Sequence, residues 1–114
     1  MSLHVYRLRS LVSVHDGGSF RAIVDVGFRM YAEQAFRLAG INSPELYGVT
    51  HDAATTSKFF LKNRMQNALD AKTDVIIHSH KIEKYGRWLA DIYIDGAHVN
   101  SEMVSYGYAV EYHP

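Results

Sequence analysis

Apolar and polar residues alternate along much of the first forty positions, and the pattern breaks at a few turn-forming residues. Tyr6 to Val14 mixes β-branched, aromatic and basic residues and reads as a first strand. Asp16-Gly17-Gly18 reads as a turn with two residues free to take positive φ, and Phe20 to Val26 as a second strand. Gly27 is expected to mark a bulge, from which Phe28 to Leu38 continues as the third strand. A loop over 41–50 follows, in which Pro44 bars Ser43 from helical geometry and stiffens the corner before Glu45. From His51 to Asp70 there is neither Gly nor Pro. Ala54, Phe60, Leu61, Arg64, Met65, Ala68 and Leu69 fall near helical spacing, which predicts an amphipathic helix capped by Thr50 or Asp52. Thr73 to His80 reads as a fourth strand, with Val75 and Ile77 on one face and Asp74, Ile76, His78 and His80 on the other. The chain turns at Gly86. Trp88 to Ile94 is the fifth strand, with Trp88 and Ile92 in the core, and Asp95-Gly96 ends it. Val99 to Tyr106 reads as a short helix closed by Gly107, with Asn100 or Ser101 near its cap.

This element order predicts an α+β, mainly β architecture. Five strands, with one long helix after the third and a short C-terminal helix after the fifth, suit a five-stranded Greek-key barrel of the OB-fold type. At 114 residues the chain is read as one domain over 1–114, large enough for a single core. No apolar run approaches the roughly 18 residues that span a bilayer, and the start MSLHVYRLRS has no signal-peptide pattern. With no cysteine to form disulfides or thiolate metal sites, the expected location is cytoplasmic. Twelve basic and twelve acidic residues cancel, so no global positive field draws in nucleic acid and any phosphate binding must be local. Seven histidines make the protein cationic below about pH 6.5.

Three segments carry candidate chemistry: VHDGGSFRAIV (Val14 to Val24), FRLAGINSPE (Phe36 to Glu45) and EKYGRWLADIYIDG (Glu83 to Gly96). In the second, Arg37 lies between Phe36 and Leu38, so on a strand it points away from both apolar neighbours. In this order the segments resemble the Asp-Gly-Asp-Thr hairpin, the arginine strand with its Pro-Glu loop, and the Lys-Tyr-Gly-Arg turn of the staphylococcal nuclease (thermonuclease) family. The resemblance runs from about Val5 to Tyr112 and implies the same barrel. It implies phosphodiester hydrolysis on DNA or RNA, with Arg37 and Arg87 as guanidinium clamps whose planar forks match phosphate oxygens. Glu45 would orient or deprotonate the water, and Lys84 and Tyr85 would flank the nucleotide.

The resemblance also implies calcium, and here the chain departs from it: Gly18 and Asn42 stand where the family places two metal-binding aspartates. Calcium takes six to eight oxygens, and ligand charge sets its affinity. Asp16, Asn42, Ser43 and Glu45 are therefore expected to gather at most a loose site, with calcium or another divalent cation weakly held. The family often carries a further C-terminal helix, so the end at His113-Pro114 is expected to leave an apolar face for self-association or a protein partner.

Other readings stay open. Arg37 and Arg87 can be ordinary ion-pair partners of Glu33, Glu45 or Asp91. His78 and His80 have a spacing seen in zinc sites, or are solvent-facing polar residues. Tyr106, Tyr108 and Tyr112 can stack bases or pack at the barrel's edge. Three functions follow: a small nuclease with a reduced metal requirement, a pseudo-nuclease that grips nucleic acid without cutting it, and a protein-interaction domain.

Overall fold

A computed structural model describes residues 4–44 and 51–113. β1 (His4–Asp16) and β2 (Ser19–Gly27) form an antiparallel hairpin, and β3 (Met30–Leu38) pairs with the far side of β2. The β1–β2 register shifts three times, at Leu8/Ser10, Leu11/Ser13 and Val14/Asp16. Each irregularity bends the strand and adds twist, so the first residues of β1 can turn away and pair with β5 (Val75–Ile82) through His4↔Ser79 to Arg7↔Ile76. β6 (Trp88–Ile94) runs antiparallel to β5, and a parallel pairing of β3 with β6 at Phe36↔Trp88 to Leu38↔Ala90 closes the barrel.

The closed five-stranded barrel with two helices is the expected architecture. Its interior follows the period-2 alternation: Phe20, Ala22 and Val24 on β2, Phe36 and Leu38 on β3, Val75 and Ile77 on β5, and Ala90, Ile92 and Ile94 on β6 are buried. Trp88 is only partly buried; its indole Nε1 donates to Gln34 Oε1 at 3.1 Å. α1 (His51–Asp70) packs on the barrel through Ala54, Ser57, Leu61, Met65 and Ala68, a stripe at steps of three and four. Arg64, half-buried, leaves that stripe to pair with Glu102 at 2.8 Å on α2 (Val99–Ser105). No helix among the described residues is long and apolar enough to cross a membrane.

Several boundaries differ from the sequence reading. β1 extends past both expected ends, and β5 is shifted two residues downstream. The β2–β3 register does shift between Asp25 and Gly27, as expected of a bulge, but Gly27 then pairs with Met30, so Phe28-Arg29 form a two-residue hairpin turn outside β3, with φ of 55° and 61°. Gly17 and Gly18, in contrast, are not among the residues with positive φ. Gly17 is required for space: a Cβ there would lie 1.8 Å from Ser57 Oγ on α1. At α2 the N-cap is His98, without a side-chain cap bond, and Asn100 is instead a buried link. Its Oδ1 accepts from Ile92 N, and its Nδ2 donates to Ala39 O and Ala90 O, tying α2 to β6 and to the residue after β3. Thr50 lies outside the described residues.

The short strands that periodicity did not reveal are β4 (Ile41–Asn42), β7 (Ala97–His98) and β8 (Val110–Glu111). β8 pairs with β4, and Tyr112 N donates to Gly40 O at 2.9 Å, so the C-terminal segment lies across the loop after β3.

Candidate functional site

The β1–β2 turn, the end of β3, β4 and the start of β6 meet at one end of the barrel. Register does this: Ser19 stands opposite Arg37, and Arg37 opposite Leu89. Two backbone bonds of 2.8 Å, Leu38 N to Gly18 O and Ala39 N to Ala90 O, pin the three segments together. The result is an open cleft lined by Asp16, Gly18, Ser19, Arg37, Asn42, Ser43 and Arg87. A second depression continues from it over Glu83, Lys84, Tyr85 and Tyr112, sharing Arg37, Asn42 and Arg87. Segments far apart in sequence thus converge, and eight of the nine expected site residues line these two depressions. The ninth, Glu45, lies outside the described residues.

Arg37 is held in the cleft by its own loop. Nη1 donates to Leu38 O at 3.0 Å and to Ile41 O at 3.1 Å, and Nη2 donates to Asn42 Oδ1. These partners are neutral oxygens, so the bonds fix the guanidinium's position without cancelling its charge. Tyr112 closes one side, with the Arg37 guanidinium carbon 5.9 Å from its ring centre. Arg87 is held differently. Its Nε and Nη2 both reach Glu83 at 3.1 Å, as a fork on a carboxylate, and Nη1 donates to Ser19 Oγ at 3.0 Å. Tyr85 lies beneath both cations, 5.6 Å from Arg87 and 5.1 Å from Lys84.

Glu83 is the functional residue that the sequence reading missed. Its Oε1 also accepts from the backbone N–H of Tyr85 at 3.0 Å and of Arg87 at 2.9 Å, so one carboxylate shapes the whole Gly86 turn. The Arg87 side chain above all, aided by these N–H groups, holds the Glu83 carboxyl down to about 2. The signal was present in Glu-Lys-Tyr-Gly-Arg: an acid four residues before an arginine, across a glycine turn. The ion-pair alternatives for the arginines are thereby corrected where residues are described. Glu33 pairs with Arg21 at 3.2 Å, while Asp91 accepts from His80 at 2.5 Å and His98 at 2.7 Å.

His78 and His80 do not act as a pair. The His78 ring packs on Tyr93 at 4.6 Å, and His80 goes to Asp91. Tyr106 and Tyr108 pack on Phe60, at 5.5 and 4.6 Å between ring centres, so of the three tyrosines only Tyr112 enters the cleft.

The donor set can be tested against calcium. Asp16 is the one described carboxylate lining the first cleft, and its Oδ1 already accepts from Gly18 N at 2.8 Å. The Asn42 amide oxygen is taken by Arg37. No group of three or more His, Asp or Glu side chains among the described residues is arranged to hold an ion. These donors do not fit a calcium site of six to eight oxygens. Gly18 is where one is missing: a Cβ there would sit 3.4 Å from Ser43 Oγ and 3.7 Å from Asp16 Oδ1, in ordinary contact.

A comparison with curated proteins found no match. A family model described as Staphylococcal nuclease homologue matches residues 35–114, which covers Arg37, Glu45, the Glu83–Arg87 turn and the C-terminal strand. The match begins at Ala35; β1 and β2, which precede it, pair with the matched strands β5 and β3. The chain belongs to the staphylococcal nuclease homologue family.

Proposed function

We propose that this protein, acting as one domain, is a small nuclease that hydrolyses phosphodiester bonds in DNA or RNA and that its metal site is degenerate. The observation that supports this most is the convergence of Arg37 and Arg87 on one open cleft, each with its guanidinium fixed by hydrogen bonds. Two such forks over the non-bridging oxygens stabilise charge that develops at phosphorus. Attack forms a bond from a water oxygen to phosphorus while the ester P–O bond breaks in line. Glu45 is proposed to take the water's proton, and the leaving oxygen gains one from solvent. Lys84, Tyr85 and Tyr112 would hold the adjoining nucleotide by charge and stacking.

Before phosphate can take both arms of Arg87, the Glu83 fork must share or release it, which restrains the grip in the free protein. A bound divalent cation would supply further charge stabilisation. With Gly18 and Asn42 in place of carboxylates, such an ion would be weakly held. That same departure favours the second reading, a pseudo-nuclease that binds nucleic acid without cutting it.

One experiment separates them: incubation of the wild type and of Gly18→Asp with Asn42→Asp with single-stranded DNA and RNA, in calcium, manganese or chelator, beside calcium calorimetry. The double variant should bind calcium measurably more tightly and cleave up to on the order of a thousandfold faster. A Cβ at Gly18 meets only ordinary contacts. Tight new calcium binding with no cleavage in either protein would sink the nuclease reading and leave the pseudo-nuclease.

A further inference from the structure

The β2–β3 hairpin ends in a feature that the core does not need. Two-residue hairpin turns with both φ positive favour Asn-Gly, yet Phe28 and Arg29 occupy this one at φ 55° and 61°. Phe28 is 95% exposed, with Met30 and Tyr31 exposed beside it. Backbone strain and apolar exposure both work against stability here, a combination associated with function.

The surroundings indicate the kind of partner. The Arg9 guanidinium lies over the Tyr31 ring at 5.5 Å. Arg7, Arg9 and Lys72 line a depression at the turn end of the hairpin, beside Tyr31, and Arg29 sits in the turn itself. Two carboxylates oppose these four cations. Asp25 accepts from Gly27 N at 2.8 Å, and Asp74 is 3.8 Å from Arg7 in a pair more than half exposed on both sides. A chain of zero formal net charge thus gathers local positive charge, interleaved with aromatic rings, well away from Arg37 and Arg87. β2 connects the two places: Ser19 is in the cleft and Gly27 in the hairpin turn, nine residues at about 3.3 Å each.

We propose that this hairpin tip is a second contact for single-stranded nucleic acid, with bases stacking on Phe28 and Tyr31 and phosphates meeting Arg7, Arg9, Arg29 and Lys72. Charge complementarity and the alternation of rings with cations fit a sequence-tolerant single-strand platform. The proposal rests on the reading of the cleft as a phosphate site. It implies that a long strand occupies both places and a short one only the cleft.

The test uses fluorescence anisotropy in chelator, with a four-nucleotide and an about twenty-nucleotide oligothymidylate. The proteins are the wild type, Phe28→Asn with Arg29→Gly, Arg9→Gln, and Arg37→Ala. The Asn-Gly variant removes the ring and the cation but installs the favoured turn, so its thermal midpoint should equal or exceed the wild type's. It should weaken the long strand by roughly tenfold and leave the short one unchanged. Arg9→Gln should act in the same direction, and Arg37→Ala should weaken both strands. Unchanged long-strand binding in the Asn-Gly variant overturns the proposal. If Arg37→Ala leaves the short strand untouched while the Asn-Gly variant still loses the long one, the cleft reading fails and the hairpin contact stands. Binding to phosphatidylserine vesicles that the Asn-Gly variant abolishes, with long-strand binding intact, would assign the tip to a membrane surface and overturn it as well.

Discussion

Glu83 decides more at the cleft than its place in a surface turn suggests. Its carboxyl is held at about 2, against an ordinary value of 4.5, by the Arg87 side chain first and by two backbone N–H groups. A depressed carboxyl contributes stability that is fully present above its unfolded value and lost as pH falls through its folded value. The window therefore runs from about 4.5 down to about 2. Glu83→Gln keeps the shape but not the charge, so the wild type should have the higher thermal midpoint at neutral pH, and the gap should close across that window. A gap that stays constant with pH would show that the ionised carboxylate contributes nothing. Arg37 was legible from its neighbours, because Phe36 and Leu38 must face inward. Glu83 was not, because its role depends on a side chain folding back over a turn.

At the level of elements, the contact that orients the cleft is between the β1–β2 turn and α1. Gly17 has no room for a side chain: its Cβ would meet Ser57 Oγ at 1.8 Å and Ser57 Cβ at 2.9 Å, and Ser57 Oγ is itself committed to Tyr108 O at 2.8 Å. Gly17→Ala must therefore push the helix from the turn or break that bond, at a cost of about 1–3 kcal/mol by overpacking. Gly18→Ala meets only ordinary contacts and should be close to neutral. Urea unfolding of both variants checks this, and equal costs would mean the turn moves freely. The two glycines read alike in the sequence, as turn residues wanting positive φ. They differ because only the first lies under a helix that starts more than thirty residues later.

For the molecule as a whole, zero net charge makes binding local. A short single strand gripped by Arg37, Arg87 and Lys84 should show a log–log salt slope of about −2.1, from roughly 0.7 for each phosphate neutralised. Arg37→Ala or Arg87→Ala should lower that slope by about a third and weaken binding by roughly tenfold to a hundredfold, the worth of a charged hydrogen bond. Lys58→Ala and Lys62→Ala on α1 should change neither quantity. Titration of the four-nucleotide strand across a salt series measures both, and an equal effect from the helix lysines would disprove a local clamp.

What the sequence by itself determined was whatever depends on near neighbours. Alternation at Phe20 to Val24 and Val75 to Ile77 defined buried strand faces, and helical spacing in the Gly- and Pro-free run from His51 to Asp70 marked α1. Two motifs, Phe36 to Glu45 and Glu83 to Gly96, lie in the stretch that carries the family. Only the tertiary structure decided how these parts meet. The parallel β3–β6 pairing sets Arg37 beside Leu89, and β8 on β4 brings Tyr112 over Arg37. Asn100, read as a helix cap, became a buried link between β6, α2 and the residue after β3. Local sequence biases φ and ψ and decides which face is apolar. Register between distant strands depends on how all the faces are buried at once, and that is settled only when the barrel closes.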